Sequence, residues 1–213
     1  MGPLETLILR VHVAAGVVAL SAGLGALLTA KGGLRHRQTG TVFVGSMGVT
    51  VGTVFVLLAF DPTPFRVFLT LVGVFSGYLA FSGYRVLSRK RPRDDARPLD
   101  WAGAVSVVLA CLGLGGWGVF QLVGGDSFGV VLVAFGGIGL ASGVTDIRTF
   151  RNGDDAEKWT ETHLQRMIAA FIATVSAVSA VNLTPELGFV AWLWPTVVGV
   201  PLTSYWAKKY RVT

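Results

Sequence analysis

Residues 101–123 read WAGAVSVVLACLGLGGWGVFQLV, a run without one charged side chain. An α-helix crosses a hydrocarbon core of about 30 Å with roughly 20 apolar residues, so this run reads as a transmembrane helix. Asp100 opens it, and Gly124-Gly125-Asp126 closes it in a tight turn. On both sides of it the pattern recurs at about 7–30, 41–60, 65–87, 127–146, 164–184 and 187–206. The segment 127–146 is short and rich in glycine. The expected fold is therefore all-α, a seven-transmembrane-helix bundle that forms one polytopic domain over 1–213.

Composition agrees. Hydrophobic residues make up 52% of the chain and charged residues only 14%, against about 25% charged in a soluble domain. With a mean hydropathy of +0.63, a soluble globule of this length could not hide its apolar surface. The breaks between spans have local causes. Lys31-Gly32-Gly33 ends the first helix, Asp61-Pro62-Thr63-Pro64 makes the second turn, and Ser88 to Asp100 is a solvated loop rich in arginine with Pro92 and Pro98. Phe150 to Thr162 reads as a polar connector, and Asn182 to Glu186, with Pro185, as the last hairpin turn.

The basic residues fix an expected orientation. Of the 18 Lys and Arg, all but Arg10 and Arg66 fall on one side of these seven spans. The positive-inside rule places that side in the cytoplasm, the N-terminus outside and the C-terminus inside. The net charge of +6 is then a topology signal facing anionic headgroups, and no nucleic-acid partner is expected. Glu5, with no positive charge before the first apolar run, has the wrong polarity for a signal peptide. The reading is a multi-pass protein of the cell membrane. Trp101, Trp159, Trp206, Tyr84, Tyr205 and Tyr210 fall where an aromatic belt belongs. Gly48 with Gly52, and Gly139 with Gly143, have GxxxG spacing. Packing inside the bundle is the preferred reading, with a homo-oligomer as the alternative.

Ionisable groups near or within a membrane each need an explanation. His36, at the entrance to the second helix, and His163, opening the sixth, fall on the same expected face. His163 and Arg166 are i and i+3 and share a helix side. Asp146 ends the fifth helix on that face and Asp100 begins the fourth. Cofactor binding is assigned to His36, His163 and Arg166, and metal ligation to His36, His163 and Asp146. Such groups suit a divalent metal, an axially ligated haem or a proton relay. The competing reading is polar helix caps and headgroup contacts at an interface. His12 lies just inside the opposite face, about 30 Å of helix from Lys31, so it cannot join His36 and His163 at one metal. It reads as a packed polar residue.

Other chemistry is disfavoured. No HExxH or HxxxH occurs, and no P-loop. The five lysines sit at or beyond cytoplasmic ends, leaving none for a retinal Schiff base. Cys111, the single cysteine, has no charged neighbour in sequence. Pro195 and Pro201 interrupt the last helix, a weak transporter signature.

Lys31-Gly32-Gly33 with His36-Arg37 and Gly40, Ser82-Gly83-Tyr84-Arg85, His163 with Arg166-Met167, and Trp192-Leu193 with Pro195-Thr196 and Gly199 resemble a prokaryotic family of multi-pass membrane proteins of unknown function. The resemblance spans nearly the whole chain. It implies the membrane fold and directs interest to His36 and His163, and it carries no activity, so whether the chain is an enzyme stays open. Three functions compete: a cytoplasmic-face metal or haem site, a small-solute transporter or channel, and a non-catalytic membrane subunit or lipid-interacting protein.

Overall fold

The computed structural model describes residues 2–91, 93–153 and 155–209. Among them are seven α-helices: α1 (Pro3–Leu28), α2 (Leu34–Phe60), α3 (Pro64–Arg85), α4 (Pro98–Val123), α5 (Gly129–Asn152), α6 (Asp155–Leu187) and α7 (Val190–Lys209). A 3₁₀ turn over Val86–Ser88 extends α3, and no strand occurs among the described residues. Six helices, α1 to α6, are long and apolar enough to cross a membrane. In α7 the apolar stretch is Val190–Pro201, shorter than the expected span over 187–206. Tyr210 and Arg211 lie outside the described residues, as do the side chains of Tyr205, Trp206, Lys208 and Lys209.

Several helices outrun the apolar segments that announced them. α2 begins at Leu34 rather than near 41, so His36 sits in its first turn. The expected polar connector from Phe150 to Thr162 is mostly helical: α5 continues to Asn152 and α6 starts at Asp155. Gly153 follows the end of α5. Gly153 takes φ +74°, a left-handed conformation that glycine adopts without a Cβ clash, and its N–H bonds the Thr149 carbonyl at 2.9 Å. The last turn also moves. α6 passes through Pro185 to Leu187 and reverses at Gly188. Likewise α7 continues through Pro195 and Pro201.

The helix ends are satisfied locally. The carbonyls that end α1 receive Lys31 Nζ (3.1 Å to Ala26, 2.7 Å to Leu27) and the Thr29 hydroxyl. Pro64 opens α3, and the Thr63 hydroxyl caps the Arg66 N–H at 3.3 Å. Pro98 opens α4, where Asp100 reaches back to the Arg97 N–H at 2.9 Å.

The chain falls into two compact units, Met1–Gly77 and Tyr78–Thr213. In the first, α1 and α2 form a hairpin. In the second, α4 pairs with α5 and α6 with α7. The α4–α5 contact is a glycine seam of seven-residue period: Gly129, Gly136 and Gly143, all buried. A Cβ on Gly136 would stand 2.7 Å from the Gly115 nitrogen, and one on Gly118 2.8 Å from Leu132 Cβ. The two backbones therefore touch, and dispersion replaces the hydrophobic drive that lipid does not supply. Gly139 and Gly143 of the expected pair are both buried in α5. Gly48 and Gly52 differ, since a Cβ on either would meet nothing within 4 Å.

Candidate functional site

The second unit buries a polar centre supplied by three helices. Tyr78 on α3, Asp146 on α5 and Arg166 on α6 are 5%, 5% and 8% exposed. The Tyr78 hydroxyl donates a short hydrogen bond to Asp146 Oδ2. Arg166 Nη2 donates to Asp146 Oδ1 at 2.7 Å and to the Ser142 carbonyl at 2.9 Å. The carboxylate therefore takes the phenol on one oxygen and a single guanidinium nitrogen on the other. Arg166 Nη1 is buried and has no hydrogen-bond partner among the described residues.

Gly83 lets α6 come this close. A Cβ there would stand 2.8 Å from Arg166 Cβ and 3.1 Å from Met167 Sδ. One turn earlier on α6, His163 Nδ1 lies 2.7 Å from the Gly83 carbonyl. A carbonyl only accepts, so that ring nitrogen carries the proton. Two elements of the sequence resemblance, Ser82-Gly83-Tyr84-Arg85 and His163 with Arg166-Met167, thus meet at one helix contact.

A second ionic group lies where α3 ends and α4 begins. Asp100, 2% exposed, receives Arg85 in a two-pronged pair, Nε to Oδ1 at 2.8 Å and Nη2 to Oδ2 at 2.9 Å. Arg89 Nη1 is 3.0 Å from the same Oδ1. The Arg89 guanidinium also stacks 4.9 Å from the Phe150 ring centre, and Phe150 packs edge-on against Trp101. Lys90 lies 4.3 Å from the Trp159 ring centre. Two aromatics expected in the belt, Trp101 and Trp159, are therefore partners in these contacts.

The first unit has its own polar pairs. His12 Nδ1 lies 3.1 Å from the Thr50 carbonyl and 2.9 Å from Thr53 Oγ1, which ties α1 to α2. Glu5 pairs with Arg66, whose Nη1 donates to the Leu57 carbonyl at 2.7 Å. His36 Nδ1 donates to the Ala26 carbonyl at 3.0 Å, helping to cap α1.

Of the residues singled out in the sequence, Asp146 and Arg166 come into direct contact, with His163 one helical turn from Arg166. Asp100 belongs to the Arg85–Arg89 group. His36 lies in the first unit and His163 in the second. No three His, Cys, Asp or Glu side chains gather into a metal-sized group among the described residues. Asp146 is engaged by Tyr78 on one oxygen and by Arg166 on the other. Tyr78, Arg85 and Arg89 were not anticipated as site residues. A tyrosine hydroxyl within an apolar helix was the available signal for the first, because it needs a partner when buried. The chain matches no protein-family model, no curated protein and no solved structure.

Proposed function

We propose that the protein is a multi-pass protein of the cell membrane that crosses seven times, N-terminus outside and C-terminus in the cytoplasm. We read the Tyr78–Asp146–Arg166 centre as its solute-binding site, and transport as its activity. One observation carries the functional reading: three helices each contribute one buried polar group to a single cluster, within segments suited to lipid. An intramembrane ionisable group is costly and serves as a functional site by default. The ion pair need not be there for stability, because a buried pair often contributes little over an apolar substitute.

Purified protein reconstituted into liposomes tests the activity by solid-supported-membrane electrophysiology, with a panel of small cations, anions and zwitterions. The reading expects a solute-dependent current that disappears when Asp146→Asn and Arg166→Gln are combined. Silence across the panel, or a current that survives the double substitution, would contradict it. Orientation is tested in a Cys111→Ser background with single cysteines at Ser127 or Asp94. An impermeant maleimide added to intact cells should label the first and spare the second.

A further inference from the structure

The solute-binding reading above leaves the class of solute open, and the hydrogen bonds of Arg166 narrow it. Its guanidinium can donate from three nitrogens. Nη2 is spent on Asp146 and Ser142, while Nη1 is buried with no partner among the described residues. A charged donor left without an acceptor in a dry interior costs more than a neutral one, and such a group calls for an explanation in an ion, a ligand or a water. Asp146 could have supplied the acceptor. A carboxylate and a guanidinium form a two-pronged pair by default, and Asp100 with Arg85 does so a short distance along α3. At Asp146 the Tyr78 hydroxyl donates to the second oxygen. A carboxylate oxygen can take two donors, as Asp100 Oδ2 does from Arg85 and the Arg97 N–H, so the phenol would act by orienting the carboxylate, with Oδ2 turned to Tyr78, and not by filling that oxygen.

From this geometry we propose that Arg166 Nη1 is the anchor of a binding site for a small oxygen-bearing monoanion of the carboxylate class, and that Tyr78 is the positioning residue that holds the site open. The inference rests on the solute-binding reading of the same centre. A monoanion fits better than a polyanion because Asp146 already offsets part of the guanidinium charge. An amine or metal cation would be attracted to Asp146 but would face Arg166 beside it. Among the described residues, other charged and titratable groups near the centre include His163, bonded to Gly83 one turn earlier on α6, and Arg89, whose charge acts on Tyr78. Neither adds negative charge that would exclude an anion.

The test uses the full chain in lipid nanodiscs. Acetate and nitrate are titrated at constant ionic strength made up with gluconate, and thermal unfolding is followed by the reactivity of Cys111, which is buried in the fold. Acetate should raise the unfolding temperature in a saturable way. Arg166→Gln should weaken the half-saturation about tenfold or more, as loss of a charge-assisted hydrogen bond does. Arg148→Gln, at an exposed site on α5, should leave it unchanged. Tyr78→Phe is the decisive variant should Arg166→Gln fold poorly. It frees the Asp146 carboxylate to turn Oδ2 to Nη1, so acetate binding should weaken while the protein without acetate stays at least as stable. An acetate effect equal in all variants, or no effect in the wild type because water satisfies Nη1, overturns the inference. If cations or zwitterions instead drive currents that need Asp146, the anion assignment falls and the solute-binding reading stands. Silence toward every class removes both.

Discussion

Two carboxylate–guanidinium pairs in the second unit differ by one hydrogen bond. Asp100 and Arg85 meet through two parallel bonds, and the Arg97 N–H and Arg89 complete the carboxylate's environment. Asp146 and Arg166 meet through one, and Tyr78 donates to the remaining oxygen. The first pair is built as a clasp between the end of α3 and the first turn of α4. The second leaves a buried donor unspent. Burial and charge are alike in the two groups, and what distinguishes them is the pairing, two-pronged at Asp100 and one-pronged at Asp146.

The comparison can be broken most severely at Arg166. Arg166→Gln strands the Asp146 carboxylate in the interior and should cost about 3–5 kcal/mol, read as earlier exposure of Cys111 to a thiol dye on heating. Gly83→Ala comes next. It presses a methyl group toward Arg166 Cβ, 2.8 Å away, and overpacking of this kind costs about 1–3 kcal/mol. The same thermal scan should show it destabilised, with acetate protection weakened as α6 shifts. Arg85→Gln should cost less, about 1.5 kcal/mol, because Asp100 keeps Arg89 and the Arg97 N–H. In the first unit, Thr53→Val removes one hydroxyl partner of His12. A loss of about 0.6 kcal/mol is expected, the usual size of a hydrogen bond between membrane helices. A loss at Thr53 as large as that at Arg166 would erase the distinction between tying residues and binding residues.

The helices were legible because lipid imposes a length and a polarity on each span. Residues 101–123 could hardly be read otherwise. Helix ends were less legible for the same reason. Apolarity reports where a helix lies in hydrocarbon and is silent on where its hydrogen bonds stop. Residues 34–40 and 147–152 are polar yet continue α2 and α5, since Arg, Gln and Leu favour the helix in water as well. Pro185 looked like a hairpin turn, but the reversal needed the left-handed backbone of Gly188.

The candidate site was half legible. Asp146 and Arg166 stood out as charges near the ends of apolar helices. Their partner Tyr78 did not, because a tyrosine inside a span reads first as apolar bulk. Which guanidinium nitrogen is spent depends on side-chain geometry that no spacing rule encodes. The glycine seam was partly hidden for another reason. Gly129, Gly136 and Gly143 recur every seven residues, whereas the GxxxG motif has a spacing of four.

If, as proposed, the Tyr78–Asp146–Arg166 cluster is kept for binding rather than for holding the bundle together, replacing it whole by apolar side chains should cost no stability. The sharpest check is the unfolding temperature of the triple variant Tyr78→Phe, Asp146→Leu, Arg166→Met, which replaces every polar group of the cluster by an apolar one, beside the wild type, each with and without acetate. The acetate-free triple variant should be as stable as the wild type or more so, and acetate should no longer protect it. A triple variant destabilised as much as Arg166→Gln alone, or one that acetate still protects, would contradict it.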